Sequence, residues 1–432
     1  MADLSETMLP SLKSSHLPDL GLDREFIDPD YDGGSILNLP PTLCHLFDTP
    51  GLGHVPLRPE LLSLLRDQNG DRPPDRIILI LMDALSLHRL QRWMSDGNAP
   101  IWGALAEQGV LAPLTSLVPS TTTAALTTLW SGLSPAEHAL AGYELWLKEY
   151  GVVANMIRHA PFTFQGDAGS LSRAGFDPQS YLATPTLGTH LAAHGVKTYA
   201  LQHRSILHSS LSKMLFKDVD AHAFNTSADL WVNLRHLVEG HSRERLYVWV
   251  YWEEVDRFSH LYGPDDERTV AEFAAFSAAF EQYFLRRLPA TLRSGTQLIL
   301  SADHGQISTR LDPHYDLRHH PGLIRRLHIL PTGENRLAYL YIRPGQMEAV
   351  REYLERTWPN QFVQFDPAYA VEHGLFGPGA VDSRLLERLG DLLVPARGAA
   401  YLWWAAKENE LHGRHGGLSA EEMLVPLLAV RL

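Results

Sequence analysis

The chain has 432 residues, 45% of them hydrophobic, so it can bury a large core, yet no segment contains the roughly eighteen unbroken apolar residues that a membrane span needs. Its formal net charge of −13 opposes non-specific binding to nucleic-acid polymers, and its start lacks the basic-then-apolar pattern of a secretory signal. A single cysteine, Cys44, excludes an internal disulfide framework and a multi-cysteine metal site and fits a reducing compartment, so we expect a cytoplasmic protein that binds neither membranes nor nucleic-acid polymers.

Residues 1–72 are rich in Pro, Gly, Asp and Leu without sustained periodicity, which predicts an N-terminal arm with one helix near residues 59–67. From Arg76 a continuous apolar run follows, which is typical of a central parallel strand buried on both faces. This run ends at Asp83. Because open α/β sheets bind their ligands at the carboxyl ends of strands, Asp83 is a candidate ligand, and capping a helix over residues 85–95 is its alternative role.

A cluster of hydroxyl residues, Ser120 to Thr123, follows a predicted strand over residues 110–117 and opens a predicted helix. Backbone N–H groups and the dipole at the start of a helix hold anions such as phosphate, and they favour the ionised form of a nearby nucleophile. Thr121, Thr122 and Thr123 are therefore candidate nucleophiles, and plain N-capping of the helix is the alternative.

The loop after this helix contains two further candidates, His138 and Tyr143, which could fold back towards the hydroxyl cluster. A structural, hydrogen-bonded role is the alternative for both residues and the favoured one for His138. Beyond the loop, strands and helices alternate, a rhythm that predicts a layered, mostly parallel α/β sheet flanked by helices. The predicted strands lie near residues 152–157, 196–202, 246–252 and 296–301, and the predicted helices near 186–194, 226–239 and 267–288.

Two of these strands lead into an acid and a histidine. Asp256 and His260 follow the strand at 246–252, and their spacing places both on one face of a helical turn, where they could bind one metal ion. Asp303 and His304 follow the strand at 296–301 and precede a glycine that allows a tight turn. Together with the acid at the end of the first strand, these pairs predict a metal site.

The region 310–400 has a different character, beginning with a basic, histidine-rich loop. We interpret it as a small α+β cap inserted into a catalytic α/β domain that consists of residues 73–309 and 401–432. Within the cap we predict strands at 337–343 and 398–404 and a helix at 346–356.

The C-terminal part of the chain contains one more candidate ligand, His415. Paired glycines follow it, and a last apolar strand comes after them. Because glycines let a loop approach a bound ion closely, His415 is the histidine of this region that we expect to bind metal, whereas His412 is expected to be structural.

In their order along the chain, the candidate residues resemble those of the alkaline phosphatase superfamily, most closely its type I phosphodiesterase / nucleotide pyrophosphatase branch. The resemblance covers about residues 75–305 and 405–432. It implies two zinc ions over a parallel sheet, with Mn²⁺ as the alternative, and it selects Thr122 as the nucleophile that attacks phosphorus. The ligands that it implies are Asp256, His260 and His415 for one ion, and Asp83, Asp303, His304 and the Thr122 oxygen for the other.

The activity that the resemblance implies is hydrolysis of a phosphodiester or pyrophosphate bond in a small phosphorylated substrate. Nucleotide-cleaving members carry Phe-Pro-Asn after the nucleophile and an oxyanion-binding Asn in the next loop. This chain instead has Thr123-Ala-Ala and Tyr143, whose hydroxyl could donate a hydrogen bond to a non-bridging oxygen. Hydrolysis of phosphomonoesters, phosphonates or sulfate esters stays open on the same metal site, and so does a catalytically inactive binding protein of this fold.

Overall fold

The computed structural model describes residues 2–14, 22, 25–70, 72–162, 167–182 and 184–432. The strands of these residues are β1 (Ala2–Asp3), β2 (Arg76–Met82), β3 (Val110–Thr115), β4 (Glu144–Leu147), β5 (Val152–Asn155), β6 (Ala160–Pro161), β7 (Lys197–His203), β8 (Val219–Phe224), β9 (Leu246–Trp252), β10 (Thr296–Ser301), β11 (Ile307–Ser308), β12 (Thr332–Glu334), β13 (Leu337–Leu340), β14 (Leu392–Pro395), β15 (Gly413–Arg414) and β16 (Leu424–Arg431).

The helices of the described residues are α1 (Ser5–Ser14), α2 (Leu39–Leu46), α3 (Pro59–Asp67), α4 (Leu87–Ser95), α5 (Pro100–Gln108), α6 (Thr122–Ser131), α7 (Pro135–His138), α8 (Leu187–Ala193), α9 (Ser210–Leu215), α10 (Ser227–Gly240), α11 (Glu254–Tyr262), α12 (Glu267–Ala279), α13 (Ala290–Arg293), α14 (Pro321–Ile324), α15 (Met347–Thr357), α16 (Pro367–Glu372), α17 (Leu385–Leu389) and α18 (Ala420–Met423). A π-helical turn, Phe280–Leu285, continues α12. In this part of the chain no helix combines the length and the apolar character needed to cross a membrane.

The larger sheet has eight strands among the described residues, in the order β1-β3-β16-β10-β2-β9-β7-β8. The strands from β10 to β8 run parallel, and β16 runs antiparallel to both of its neighbours. Every residue of β2 and β9 is buried, which is why both read as continuous apolar runs. Helices α4 and α5 pack on β16, and α8 packs on β7. The predicted layered, mostly parallel sheet flanked by helices is therefore confirmed.

A second sheet of six strands, β14-β13-β12-β4-β5-β6, is antiparallel throughout. The strand that we expected in the parallel series near residues 152–157 lies here as β5, because a short 3-10 turn at Lys148–Tyr150 makes a hairpin with β4. The second sheet joins strands from both sides of residue 310, and the division of the chain into an arm, a catalytic domain and a cap stays a prediction.

The strand that we predicted at 398–404 is wrong. Within this segment the structure records a single isolated bridge, between Trp403 and Asp316, and the strand of this region is β14 instead. Tyr401 and Leu402 are fully buried, so the apolar residues that produced the prediction pack into the interior without forming a ladder.

Three adjacent strands of the larger sheet end at the same edge. In the register of the sheet, Leu81 of β2 pairs with Ser301 of β10 on one side and with Tyr251 of β9 on the other. The segments that follow these strands therefore leave the sheet side by side, and they carry Asp83, Asp303 and the start of α11 to one place.

Candidate metal centre

The segments that leave β2, β9 and β10 bring the predicted ligands together in two groups. One group contains Asp256, His260 and His415, and the other contains Asp83, Asp303 and His304; within each, the potential ligand atoms lie within 4.8 Å of one another. In the first group, the Oδ1 atom of Asp256 is 3.3 Å from Nε2 of His260 and 3.8 Å from Nε2 of His415. These are the same two sets that the resemblance implied.

The second group is the more deeply buried one. The side chain of His304 is fully buried, and its Nε2 atom lies 3.5 Å from Oδ1 of Asp83 and 3.6 Å from Oδ2 of Asp303. Those two carboxylate oxygens have no hydrogen-bond partner among the described residues. Because a buried carboxylate oxygen without a partner is unfavourable, a bound cation is the natural complement to this group.

All three histidines have the same orientation. Each directs Nδ1 to a backbone carbonyl oxygen, so that Nδ1–H donates and the lone pair of Nε2 is turned towards the carboxylates; such a bond is typical of metal-binding histidines. The acceptors are Gly413 for His260 at 2.8 Å, Gly305 for His304 at 2.9 Å and Ser120 for His415 at 3.1 Å.

Burial and the neighbouring groups shift the protonation equilibria of both groups. Burial, with the nearby Asp303 and Asp256 adding to it, raises the pKa of Asp83 well above its usual range. Burial and the neighbouring His304 and His260 lower the pKa of His415 far below its usual range, which leaves the imidazole neutral. A divalent cation would relieve the repulsion between the carboxylates, and neutral imidazole is the form that coordinates it. Either group could hold a metal ion.

Thr122 is the first residue of α6, and its hydroxyl oxygen lies 3.2 Å from Nε2 of His304. The neighbouring hydroxyls point elsewhere. Thr123 is buried and donates to the carbonyl oxygen of Gly142 at 2.9 Å, and the hydroxyl of Thr121 interacts with the carboxyl group of Glu334. Of the three candidate nucleophiles, Thr122 is thus the one whose hydroxyl contacts the predicted ligands.

A cavity of about 400 Å³ opens beside Thr122. Asp83 and Asp256, one carboxylate from each group, line it together with the threonine. The segment between β7 and α9 forms another part of its wall. The volume lies in the range of small-molecule sites, so a small substrate could reach both groups and the hydroxyl at once.

The sequence profile of the type I phosphodiesterase / nucleotide pyrophosphatase family matches residues 77–418, a range that contains every predicted ligand and Thr122. The chain belongs to this family. The resemblance found in the sequence is therefore confirmed, and the protein is a hydrolase of the phosphodiesterase / nucleotide pyrophosphatase type.

Solved structures of the phosphodiesterase / nucleotide pyrophosphatase family and of a related hydrolase share the fold. Murine ectonucleotide pyrophosphatase / phosphodiesterase 5 superimposes with a TM-score of 0.60 at 15% identity, covering 82% of this chain and 87% of that one. An inactive variant of it in complex with AMP gives a TM-score of 0.59 at 15% identity, with the same coverage of 82% and 87%. Phosphonoacetate hydrolase from Sinorhizobium meliloti 1021 in complex with phosphonoformate gives 0.59 at 18% identity, covering 82% and 90%. No curated protein matched the sequence.

Tyr143, the predicted donor to a non-bridging oxygen, lies in the loop between α7 and β4. Its backbone N–H donates to Oε1 of Glu334 at 2.7 Å, and its hydroxyl interacts with the side chain of Asn155. Burial raises the pKa of this hydroxyl. The residues that line the cavity beside Thr122 do not include Tyr143. Its bond to a non-bridging oxygen stays a prediction.

Two residues that orient the carboxylates were not predicted. The hydroxyl of Tyr251 donates to Oδ2 of Asp83, and Nε2 of Gln306 donates to Oδ1 of Asp256 at 2.8 Å. Gln306 lies two residues after His304 in the sequence, so it could have been named as a candidate residue of the site. Nothing in the aromatic run Tyr-Val-Trp-Val-Tyr-Trp distinguishes Tyr251 from its neighbours before the register of the sheet is known.

A buried ion pair holds the loop that carries His415. Oε1 and Oε2 of Glu422 accept bonds from the backbone N–H groups of Gly417 and Ser419 at 2.9 and 3.3 Å, and Arg336 donates to the same oxygens at 3.1 and 2.8 Å. Both charged side chains are fully buried. Burial alone would raise the pKa of Glu422, but Arg336 and these bonds hold it below its usual range. Arg336 belongs to the β12–β13 hairpin, so the second sheet supports the metal centre.

We expect Arg336→Met to destabilise the protein by about 3–5 kcal/mol, because Glu422 would be left charged and unpaired in the interior. The loosened loop should also weaken metal binding by His415, so that metal content falls by about one ion per chain. Chemical unfolding and elemental analysis measure the two effects. Arg66→Met is the matched control, since Arg66 forms its ion pair with Asp48 at the surface. Wild-type stability and metal content in Arg336→Met would contradict this role.

Proposed function

We propose that this hydrolase cleaves phosphodiester or pyrophosphate bonds of a small phosphorylated substrate, with Thr122 as nucleophile and two zinc ions as cofactors. One observation carries the proposal. The Thr122 hydroxyl contacts His304 and lines the same cavity as Asp83 and Asp256, which belong to the two ligand groups. A reacting phosphorus in this cavity would be within reach of the hydroxyl and of both groups.

The chain supplies nitrogen and oxygen ligands without sulfur, a set that suits Zn²⁺ and also accepts Mn²⁺. When bound, the two cations would lower the pKa of the Thr122 hydroxyl and offset the negative charge of the transferring phosphoryl group. One ion would be held by Asp256, His260 and His415, and the other by Asp83, Asp303, His304 and the Thr122 oxygen.

In the proposed reaction the Oγ1 atom of Thr122 attacks phosphorus while the bond from phosphorus to the leaving oxygen breaks, and the leaving group takes up a proton. The covalent intermediate is a threonine ester of the phosphoryl group, which still carries the other substituent of the substrate. Water then attacks the same phosphorus, the bond to Oγ1 breaks, and the threonine regains its proton as the product departs. Helix α6 begins at Thr122, so its N–H groups and dipole favour both the ionised hydroxyl and the phosphoryl oxygens.

We propose a preference for diesters over monoesters, because the residues flanking Thr122 carry no cation that would compensate the second charge of a monoester. Arg257 lines the cavity, but it donates to both carboxylate oxygens of Glu254, at 3.1 and 3.0 Å. In the basic loop at the start of the 310–400 region, Arg318 forms an ion pair with Asp316.

The test compares kcat/KM for bis-(p-nitrophenyl) phosphate and p-nitrophenyl phosphate at the same metal concentration and pH. We expect the diester to be favoured by about tenfold or more, which corresponds to ~1.4 kcal/mol of transition-state stabilisation. A clear advantage for the monoester would overturn the preference. If protein with two bound ions per chain hydrolyses neither ester, the result would instead favour the alternative of a catalytically inactive binding protein of this fold.

A further inference from the structure

The cavity beside Thr122 also contains polar groups that the proposed reaction does not use. Glu253 and Gln202 line it, at the ends of β9 and β7, and four aliphatic side chains complete much of the wall: Leu126, Ile157, Ile206 and Leu211. A substrate that reacts at Thr122 would place its non-reacting part against these groups. Which chemical group they recognise is inferred on the basis of the proposed function.

Glu253 provides a hydrogen-bond acceptor. Its Oε1 atom accepts from the hydroxyl of Ser205 at 3.1 Å, which fixes the carboxyl group, and in the described part of the chain no group donates to Oε2. The side chain is 23% exposed. The ionised carboxylate can therefore accept a hydrogen bond from a substrate group that reaches Oε2.

Gln202 provides a donor. The residue is only 2% exposed, and its Oε1 atom accepts from the hydroxyl of Ser212 at 3.0 Å, which sets the orientation of the amide. The amide nitrogen makes no hydrogen bond to any residue that the structure describes. An amide nitrogen in a cavity wall that no described residue accepts from can donate to water or to an acceptor that a ligand brings.

An alcohol is the simplest group that donates and accepts at once. An ammonium group would satisfy Glu253 alone, and the guanidinium of Arg257 in the same cavity opposes a second cation. A nucleobase would find little to stack on. Among the described lining residues Tyr251 is the one aromatic residue; it is 5% exposed, and its hydroxyl is hydrogen-bonded to Asp83.

We propose that the substrate is a phosphodiester or pyrophosphate of a polyol, such as glycerol or a sugar, whose hydroxyls donate to Glu253 and accept from Gln202.

The test uses the metal-loaded full-length protein and three esters that release the same p-nitrophenolate: the glycerol, the ethyl and the thymidine 5′ p-nitrophenyl phosphodiesters. We expect kcat/KM for the glycerol ester to exceed that for the ethyl ester by about tenfold or more, because the ethyl ester has no hydroxyl that could bind Glu253 and Gln202. We expect a smaller gain for the thymidine ester, because its deoxyribose carries a single free hydroxyl. A thymidine ester that is cleaved faster than the glycerol ester would overturn the polyol assignment.

Two variants connect the preference to the residues. Gln202→Leu and Glu253→Gln should each bring the ratio of glycerol to ethyl ester close to one, while Glu281→Gln, which alters a carboxylate paired with Arg286 outside the cavity lining, should keep it. Metal content is measured for each variant, since Glu253 lies near Asp256. A ratio unchanged in both variants contradicts the inference. If the ethyl ester is hydrolysed and the glycerol ester is hydrolysed no faster, the polyol inference is wrong and the proposed function still stands. If none of the esters is hydrolysed, the proposed function is wrong.

Discussion

Thr122→Ala is expected to lower kcat for the diester by on the order of 10⁴-fold or more, because the variant lacks the atom that forms the bond to phosphorus. The remaining ligands, Asp83, Asp303 and His304, should still hold their ion, so elemental analysis should find about two ions per chain. Thr122→Ser retains a hydroxyl and is expected to recover part of the rate.

Thr123→Ala is the matched control for this variant. It deletes the adjacent hydroxyl, which donates to the carbonyl oxygen of Gly142, so it should reduce stability by about 1 kcal/mol and leave kcat within about tenfold of the wild type. Full activity in Thr122→Ala combined with loss of activity in Thr121→Ala would transfer the role of nucleophile to the preceding residue.

Asp303→Asn is expected to abolish metal binding in the buried group and, with it, turnover. Oδ1 of Asp303 accepts from the backbone N–H groups of Ala84 and His304 at 3.2 and 3.0 Å, and an asparagine oxygen can keep both bonds. The substitution changes mainly Oδ2, which becomes an amide nitrogen that cannot coordinate a cation. The fold should therefore survive while the site is lost.

Thermal unfolding distinguishes this loss from misfolding. Without metal, Asp303→Asn should unfold at a temperature no lower than the wild type, because it removes a buried charge beside Asp83. On adding zinc the wild type should gain about 2.7 kcal/mol at a free concentration near one hundred times Kd, and the variant clearly less. Asp382→Asn, which alters a carboxylate paired with Arg384 away from the centre, should behave as wild type. Equal stabilisation of Asp303→Asn and wild type by zinc would rule out the assignment.

The sequence predicted the parallel sheet well because its central strands are buried on both faces, so β2 and β9 read as unbroken apolar runs with acids at their ends. It predicted which histidines and acids lie together only through their order along the chain, since nothing local in the sequence brings His415 next to Asp256. Their roles as ligands remain proposals.

The second sheet was harder to predict for a physical reason. Strand β4 is paired on one side with its hairpin partner β5 and on the other with β12, which lies far away in the chain. Periodicity detects the strands of such a sheet but not their partners. For the same reason the polar contacts that depend on long-range pairing, such as that between Arg336 and Glu422, were not predicted.

Strand β16 has a consequence for synthesis of the protein on the ribosome. It lies between β3 and β10 and pairs with both. During translation β3 and β10 therefore emerge long before β16. Until it arrives, β3 and the adjacent edge of β10 expose unpaired backbone groups, which favour association with other chains. Chaperones that shield nascent strands should therefore be needed until β16 has emerged, and chains truncated before Leu424 should aggregate rather than accumulate as a partly active enzyme.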